Sequence, residues 1–416
     1  MLKNILSTSF ARIAVAVLGL IITTFNARYL GPEGLGVVRI FTVTVAILMI
    51  VANFVGGPHL VYHTPKYGVS ALLLRAYLWC ALVIAAFMLV GQVPGLSFAF
   101  HYWIGLAALF YALGWVHVYL LLGIERIWQQ NLVVVSFQVI LFVGAMLLYG
   151  VWELTSAEYF IYLYVVSAFF MWLLGLLMLL KLAPSNSKIS GNEVFKLLIR
   201  DGAYVQSGNF FQQINYRIAD YLIDAFWGKA AVGVYGVAIQ LAEGIWTVAR
   251  SVALVQYSKL SNLTNDVRSK KITYQMSKGV VLLTFIGFVT LSLLPTSFYT
   301  YFFGDGFAQV RAILRWLAPA FTLYSAGFIY SNYFSSNGMF KVNTLTSFIG
   351  FLVVLTLGLL IIPTFGINGA VMTISVTYLV SLGCFIYFLR LKPSRADRWL
   401  LPGAKDWRWL LYVIKR

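Results

Sequence analysis

Twelve apolar runs, each long enough to cross a hydrocarbon core of about 30 Å, succeed one another along the chain. They lie near 8–27, 35–56, 71–91, 102–122, 131–151, 158–181, 203–226, 231–256, 277–299, 311–335, 341–362 and 367–390. The intervening loops are short, so the pattern predicts an all-α polytopic membrane protein with no sizeable domain outside the bilayer. The first run has the length of the others and a polar face of its own (Arg12, Gly19, Thr23, Asn26), so it is read as a retained helix rather than a secretory signal.

Two runs carry polar side chains at helical spacing. The seventh has Gln206, Asn209, Gln213, Arg217, Asp220 and Asp224, in steps of 3, 4, 4, 3 and 4. The eighth has Gly236, Gln240, Glu243, Thr247 and Arg250, in steps of 4, 3, 4 and 3. Such spacing places each set on one helix face. A charge at mid-bilayer costs about 2.5–3.5 kcal/mol on insertion scales unless it meets protein or water, so these stripes are expected to line a wet interior. Arg12, Thr23 and Asn26 of the first run and Arg39 of the second extend the expectation to the first pair of helices. Tyr324, Ser325, Asn332 and Ser335 of the tenth are further candidates for the wall. The third, fifth, ninth and eleventh runs are far more apolar and suit contact with lipid.

A polar interruption from Ala183 to Asn192 divides the runs six and six. The segment Gly31-Pro-Glu-Gly-Leu-Gly36-Val37 after the first run is echoed by Gly228-Lys-Ala-Ala-Val-Gly233-Val234 after the seventh. Together they predict two pseudo-symmetric six-helix bundles: an N-terminal bundle over 1–182, a cytoplasmic linker over 183–200, a C-terminal bundle over 201–390, and a basic, aromatic cytoplasmic tail over 391–416. Repeats of even span number share one orientation. In the tail, Trp399, Trp407, Trp409 and Tyr412 alternate with Arg398, Lys405, Arg408 and Lys415. That suits a segment lying in the headgroup layer, or a solvated tail.

Composition agrees with a membrane class: of 416 residues 61% are hydrophobic and 10% charged, with mean hydropathy +0.85, against about 25% charged in ordinary soluble domains. The net charge of +17 encodes orientation rather than a nucleic-acid partner. Of 30 Lys and Arg residues, 22 fall on the side shared by both termini and five on the other, so the positive-inside rule predicts both termini in the cytoplasm.

The expected chemistry is transport rather than catalysis. There is no phosphate-binding G-x-x-x-x-G-K-[ST] loop, no H-E-x-x-H, and no nucleophile, base and oxyanion set, so neither a catalytic centre nor a metal site nor a bound cofactor is expected. His59 and His63, four apart between Pro58 and Pro65, read as an interfacial loop rather than a metal site. Cys80 and Cys384 sit inside runs, far from any disulfide pattern. Arg217 and Asp220 are close enough to pair on one helix, whereas Glu243 and Arg250, seven apart, each need a partner elsewhere. Guanidinium groups bind phosphate through paired N–H donors. A lipid with a phosphate or pyrophosphate head therefore suits Arg12, Arg39, Arg217 and Arg250.

Asn26-Ala-Arg-Tyr-Leu-Gly31-Pro-Glu-Gly-Leu-Gly36 resembles the "LGPEGFG" turn of the polysaccharide transporters in the multidrug/oligosaccharidyl-lipid/polysaccharide exporter superfamily. Asn215-Tyr-Arg217-Ile-Ala-Asp220 with Val232-Gly-Val-Tyr235-Gly-Val-Ala238, Phe303-Gly304-Asp-Gly-Phe307, and Phe365-Gly366-Ile-Asn-Gly369-Ala370 are also similar to that family. The resemblance implies a V-shaped, twelve-helix exporter fold like that of multidrug and toxin extrusion proteins. It also implies a flippase for undecaprenyl-pyrophosphate-linked oligosaccharide, working by alternating access in a bacterial cytoplasmic (inner) membrane within an O-antigen, lipopolysaccharide or capsule pathway. Twelve spans depart from the fourteen typical of lipid II flippases. The same resemblance brings in a proton or sodium gradient, with Asp220 and Glu243 as candidate coupling acids. The expected partners are lipid-linked oligosaccharide, membrane lipid, and polysaccharide polymerase and chain-length proteins. The competing readings are a multidrug or cation antiporter of the same fold, which calls for an acid-dominated cavity, and a membrane-embedded glycan polymerase, which calls for a large catalytic outer loop.

Overall fold

The computed structural model describes residues 2–93, 99–182, 191–261, 263 and 265–390. The 183–190 part of the expected linker and the whole of the 391–416 tail lie outside these residues. Residues 191–200, the rest of that linker, are helical.

Among the described residues all regular secondary structure is helical. In order, the helices are α1 (Leu2–Gly56), α2 (Leu60–Tyr67), α3 (Val69–Val90), α4 (His101–Gly123), α5 (Ile127–Gly150), α6 (Ala157–Leu182), α7 (Gly191–Leu260), α8 (Asp266–Leu293), α9 (Thr296–Phe303), α10 (Val310–Ser336) and α11 (Phe340–Arg390). Among the described residues nine helical stretches are long and apolar enough to span a membrane. Three of these fall in α1, α7 and α11, which count 55, 70 and 51 residues. At 1.5 Å per residue even the shortest would run about 77 Å if straight, more than twice a bilayer core. Each is broken at a glycine with positive φ, Gly31 (φ 66°), Gly228 (φ 80°) and Gly366 (φ 57°), and α1 departs from helical geometry again near its end at Asn53 (φ −94°, ψ 17°). Each therefore holds two spans, which gives the twelve expected.

Gly31 and Gly228 open the echoed segments, and their backbones match, with ψ of −175° and 178°. That region of φ/ψ space is essentially reserved for glycine. The repeat seen in the sequence is thus a repeat of a strained turn.

The chain divides into two compact units, Met1–Gln213 and Ile214–Arg416. Within the first, α4 packs on α1, α3, α5 and α6. Its buried stripe is built on small residues, Gly105, Ala107, Ala108, Ala112 and Gly114, as helix packing in lipid favours. Within the second, α10 holds the corresponding place against α8 and α11. The fourth span of each half is therefore the central one, with 67% and 61% of its apolar window buried. Among the spans that stand as single helices, the third of each half is the least buried, at 17% and 22%. Along α3, Leu74, Leu78, Leu82 and Leu89 form an exposed apolar row, the face that lipid covers.

Two local expectations are corrected. The ninth span occupies Asp266–Leu293 rather than 277–299, because Pro295 holds Leu294 extended (φ −59°, ψ 137°) and separates α9. At its other end Asn265 caps the helix by accepting from the Arg268 N–H at 3.0 Å, so helix extends through the charged segment. His59 and His63 are not in a loop: His59 caps α2 and His63 lies within it, both buried, with ring centroids 6.1 Å apart.

In the second unit the turns of α7 and α11 lock together. The break at Gly366 frees the Ile362 carbonyl, and Trp227 Nε1 donates to it at 2.9 Å. A Cβ at Gly366 would stand 2.9 Å from the Trp227 ring.

Candidate functional site

The two stripes of α7 meet at Arg217 and Glu243. Arg217 Nη2 donates to Glu243 Oε2 at 3.2 Å, joining the seventh span to the eighth across the Gly228 turn. Both side chains are largely buried, at 17% and 19% exposure. Asp220, fully buried, also lies near enough to act on the Arg217 charge. Arg217 is thus under the influence of two carboxylates, and its ion pair at 3.2 Å is with Glu243, 26 residues away. Its Nη1 is buried without a hydrogen-bond partner among the described residues, leaving donor capacity on the guanidinium beyond what Glu243 uses.

An aromatic cluster in the second unit reaches this pair through Tyr378, which lies near enough to feel both charges. Trp246 is fully buried, stacks on Phe321 at 4.3 Å, and donates from Nε1 to the Phe321 carbonyl at 2.9 Å. Tyr324 and Tyr378 stack at 4.5 Å, and Tyr216, next to Arg217, meets Tyr378 edge-on at 6.1 Å. Arg250, exposed, places its guanidinium 5.2 Å from the centroid of Phe328. A cation held over an aromatic face keeps its N–H edge open to other acceptors.

The sequence did not mark Trp246, Phe321 or Tyr378. Their one signal was the 3- and 4-residue spacing of Phe321, Tyr324 and Phe328, which leads equally well to a lipid-facing stripe.

The remaining candidates are spread more widely. Gln240 and Gln213 are half-buried and Thr247 is exposed. Asp224 leaves the stripe to pair with Lys229 across the turn. Ser325 is buried and donates to the Thr322 carbonyl at 2.6 Å, so it belongs to the interior of α10.

In the first unit Gln206 is buried and donates to the Asn53 carbonyl at 3.2 Å, while the exposed Asn209 donates to Gln206 Oε1 at 2.7 Å. Asn26, buried, accepts from the Tyr149 hydroxyl at 2.7 Å, and Thr23 donates to the Gly19 carbonyl at 3.0 Å. Arg39 is half-buried and Arg12 exposed. Gln206 and Asn26 therefore serve packing as well as polarity.

No family model matches the chain. A curated relative, the capsular polysaccharide biosynthesis protein CapF of Staphylococcus aureus, is 26% identical over 223 residues, which is 53% of this chain and 55% of that protein. The match thus spans about half the length of the relative. Among solved structures, the lipid II flippase MurJ in an inward closed conformation aligns with a TM-score of 0.63 over 98% of this chain and 92% of that one, at 15% identity. An inward-facing multidrug resistance MATE family transporter of the MOP superfamily gives 0.65 over 92% and 95%, at 14% identity. The Vibrio cholerae MATE transporter VcmN gives 0.62 over 94% and 97%, at 10% identity. At these identities the solved structures show a shared fold. The chain is a multi-pass membrane protein with the helical exporter fold shared by MurJ and the MATE transporters.

Proposed function

We propose that the protein is a flippase carrying undecaprenyl-pyrophosphate-linked oligosaccharide across a bacterial cytoplasmic membrane by alternating access, for surface polysaccharide synthesis. Arg217 carries this reading. It is an intramembrane guanidinium held by Glu243 at 3.2 Å, with a buried Nη1 donor still unused. A phosphate oxygen is the acceptor such a group favours, and an ion pair between two spans is a contact that a ligand anion can exchange with.

Arg250, seated on Phe328, is a second cation of the same unit for the head while the polyprenyl tail stays in lipid, and Arg12 and Arg39 are the cationic candidates of the first unit. Asp220 and Glu243 are the acids that a proton or sodium gradient would act on. The Lys and Arg asymmetry of the loops puts both termini in the cytoplasm. The expected role is transport without covalent change of the glycan, which requires no bound cofactor. A polymerase or chain-length protein acting on the delivered glycan would be a natural neighbour.

The MATE likeness and the buried Asp220 keep a cation antiporter as the second reading. Deleting the protein separates the two. Loss of surface polysaccharide with accumulation of its lipid-linked precursor, and unchanged susceptibility to cationic drugs, is the flippase outcome. Raised drug susceptibility with normal polysaccharide is the antiporter outcome.

A further inference from the structure

A second concave feature lies in the first unit, at the ends of three helices. Gly91 after α3, Phe100 to Trp103 at the start of α4, and Glu158 and Tyr162 in the first turns of α6 border an open cleft of about 510 Å³, within the range of about 300–1,000 Å³ usual for small-ligand sites.

Its floor is fixed. His101 is buried, stacks on Phe87 at 4.2 Å, and donates from Nε2 to the Phe87 carbonyl at 2.9 Å. A Cβ on Gly91 would lie 2.0 Å from that same nitrogen, so glycine is what lets the imidazole reach the end of α3. Its wall is aromatic. Trp103 and Tyr162 pack at 4.5 Å with a 50° interplanar angle, and Tyr159 meets Tyr162 edge-on at 6.3 Å. Trp103 and Tyr162 line the cleft with tilted rings, and Tyr159 packs behind Tyr162. At the edge of the cleft stand the Glu158 carboxylate and the Tyr102 side chain, both exposed.

The charge pattern selects the ligand. Residues 76–125 and 127–180 contain neither Lys nor Arg, so a phosphate or an anionic headgroup finds no cation there. An organic ammonium group favours rings facing one another across it, but Trp103 and Tyr162 touch and leave no gap between them. A sugar ring suits the site. Its C–H faces are apolar and lie flat on aromatic rings, while its hydroxyls donate to a carboxylate and exchange hydrogen bonds with a phenol.

We infer that this cleft binds the saccharide portion of the cargo, through uncharged sugar residues laid on Trp103 and Tyr162 with hydroxyls donating to Glu158. The inference rests on the flippase reading for its ligand class. By the loop-charge orientation these helix ends face away from the cytoplasm, so the cleft receives glycan at the release side.

The test uses the full chain in lipid nanodiscs and, as probe, the oligosaccharide released by mild acid from the lipid-linked pool of producing cells. Binding is followed by saturation-transfer NMR. Wild type is expected to bind it, Trp103→Ala and the near-isosteric Glu158→Gln to weaken binding at least tenfold, and Trp152→Ala, in an exposed position off the cleft, to leave it unchanged. Absence of binding by wild type, equal binding by W103A and E158Q, or binding of choline in place of sugar would each overturn the inference. Movement of the intact lipid-linked glycan in vesicles is scored separately. Movement without cleft-dependent binding removes the cleft and retains the flippase, whereas no movement removes the flippase whatever the cleft binds.

Discussion

Arg217 and Glu243, 26 residues apart and on opposite sides of the Gly228 turn, form an ion pair with an N···O distance of 3.2 Å. The pair fastens the seventh span to the eighth at the point where both carry charge. Removing either partner leaves the other charge poorly solvated. The cost for a fully buried pair is about 3–5 kcal/mol, and the residual exposure here brings it to about 1–3 kcal/mol. Arg217→Ala and Glu243→Ala should both lower glycan export. The exchange R217E/E243R restores the pair, so it should recover membrane abundance on immunoblots without recovering export. Recovery of both would make the pair a structural clasp only.

Arg250 separates charge from geometry. Exposed and seated on Phe328 at 5.2 Å, it contributes little to packing. Arg250→Ala should reduce export several-fold at normal abundance, and Arg250→Lys, which keeps the charge but loses the planar fork, should fall between. Surface polysaccharide normalised to membrane protein is the measurement.

The glycine turns give a prediction about backbone alone. A Cβ at Gly228 meets nothing within 4 Å, so Gly228→Ala and Gly228→Ser should destabilise equally, by about 1–3 kcal/mol. Gly228→Asn should not rescue, because a ψ of 178° lies outside the left-handed helical well that asparagine tolerates. Gly202 is the opposite case. Its Cβ would fall 1.6 Å from the Phe54 carbonyl oxygen, so Gly202→Ala should abolish folded protein. Thermal melting in detergent reads both series.

A buried network in the first unit should respond unequally to its members. Trp172 Nε1 donates to the Tyr77 oxygen at 2.9 Å, and the Tyr77 hydroxyl lies 2.5 Å from Nε2 of the fully buried His117. Trp172→Phe removes one bond, at about 1 kcal/mol. Tyr77→Phe leaves two buried groups without their partner, at about 2–4 kcal/mol. A larger fall in melting temperature for Y77F than for W172F is expected.

The spans were legible in the sequence because lipid demands long apolar runs, and the double helices were legible because Gly31 and Gly228 open the same motif. The faces of the charges were legible too, since Arg217 and Glu243 stand on their stripes at helical spacing. Their pairing was not. Spacing reports neighbours on one helix, and the obvious partner of Arg217 was Asp220, whereas the turn at Gly228 brings Glu243 within 3.2 Å. The end of the ninth span was misplaced because the apolar composition continues past Pro295, and only the backbone of Leu294 reveals the stop. The Trp246 cluster was invisible because an aromatic residue in an apolar span has the same periodicity whether it faces lipid or other aromatic rings in the interior.

The most direct test of the central claim follows the cargo itself. Purified protein is reconstituted in vesicles with fluorescently labelled undecaprenyl-pyrophosphate-linked oligosaccharide, and accessibility of the label to an impermeant quencher is read over time. Wild-type protein should render the inner-leaflet pool accessible while Arg217→Ala does not, with the glycan recovered chemically unchanged. An inaccessible pool in the presence of folded wild-type protein, or equal movement with R217A, would contradict the account.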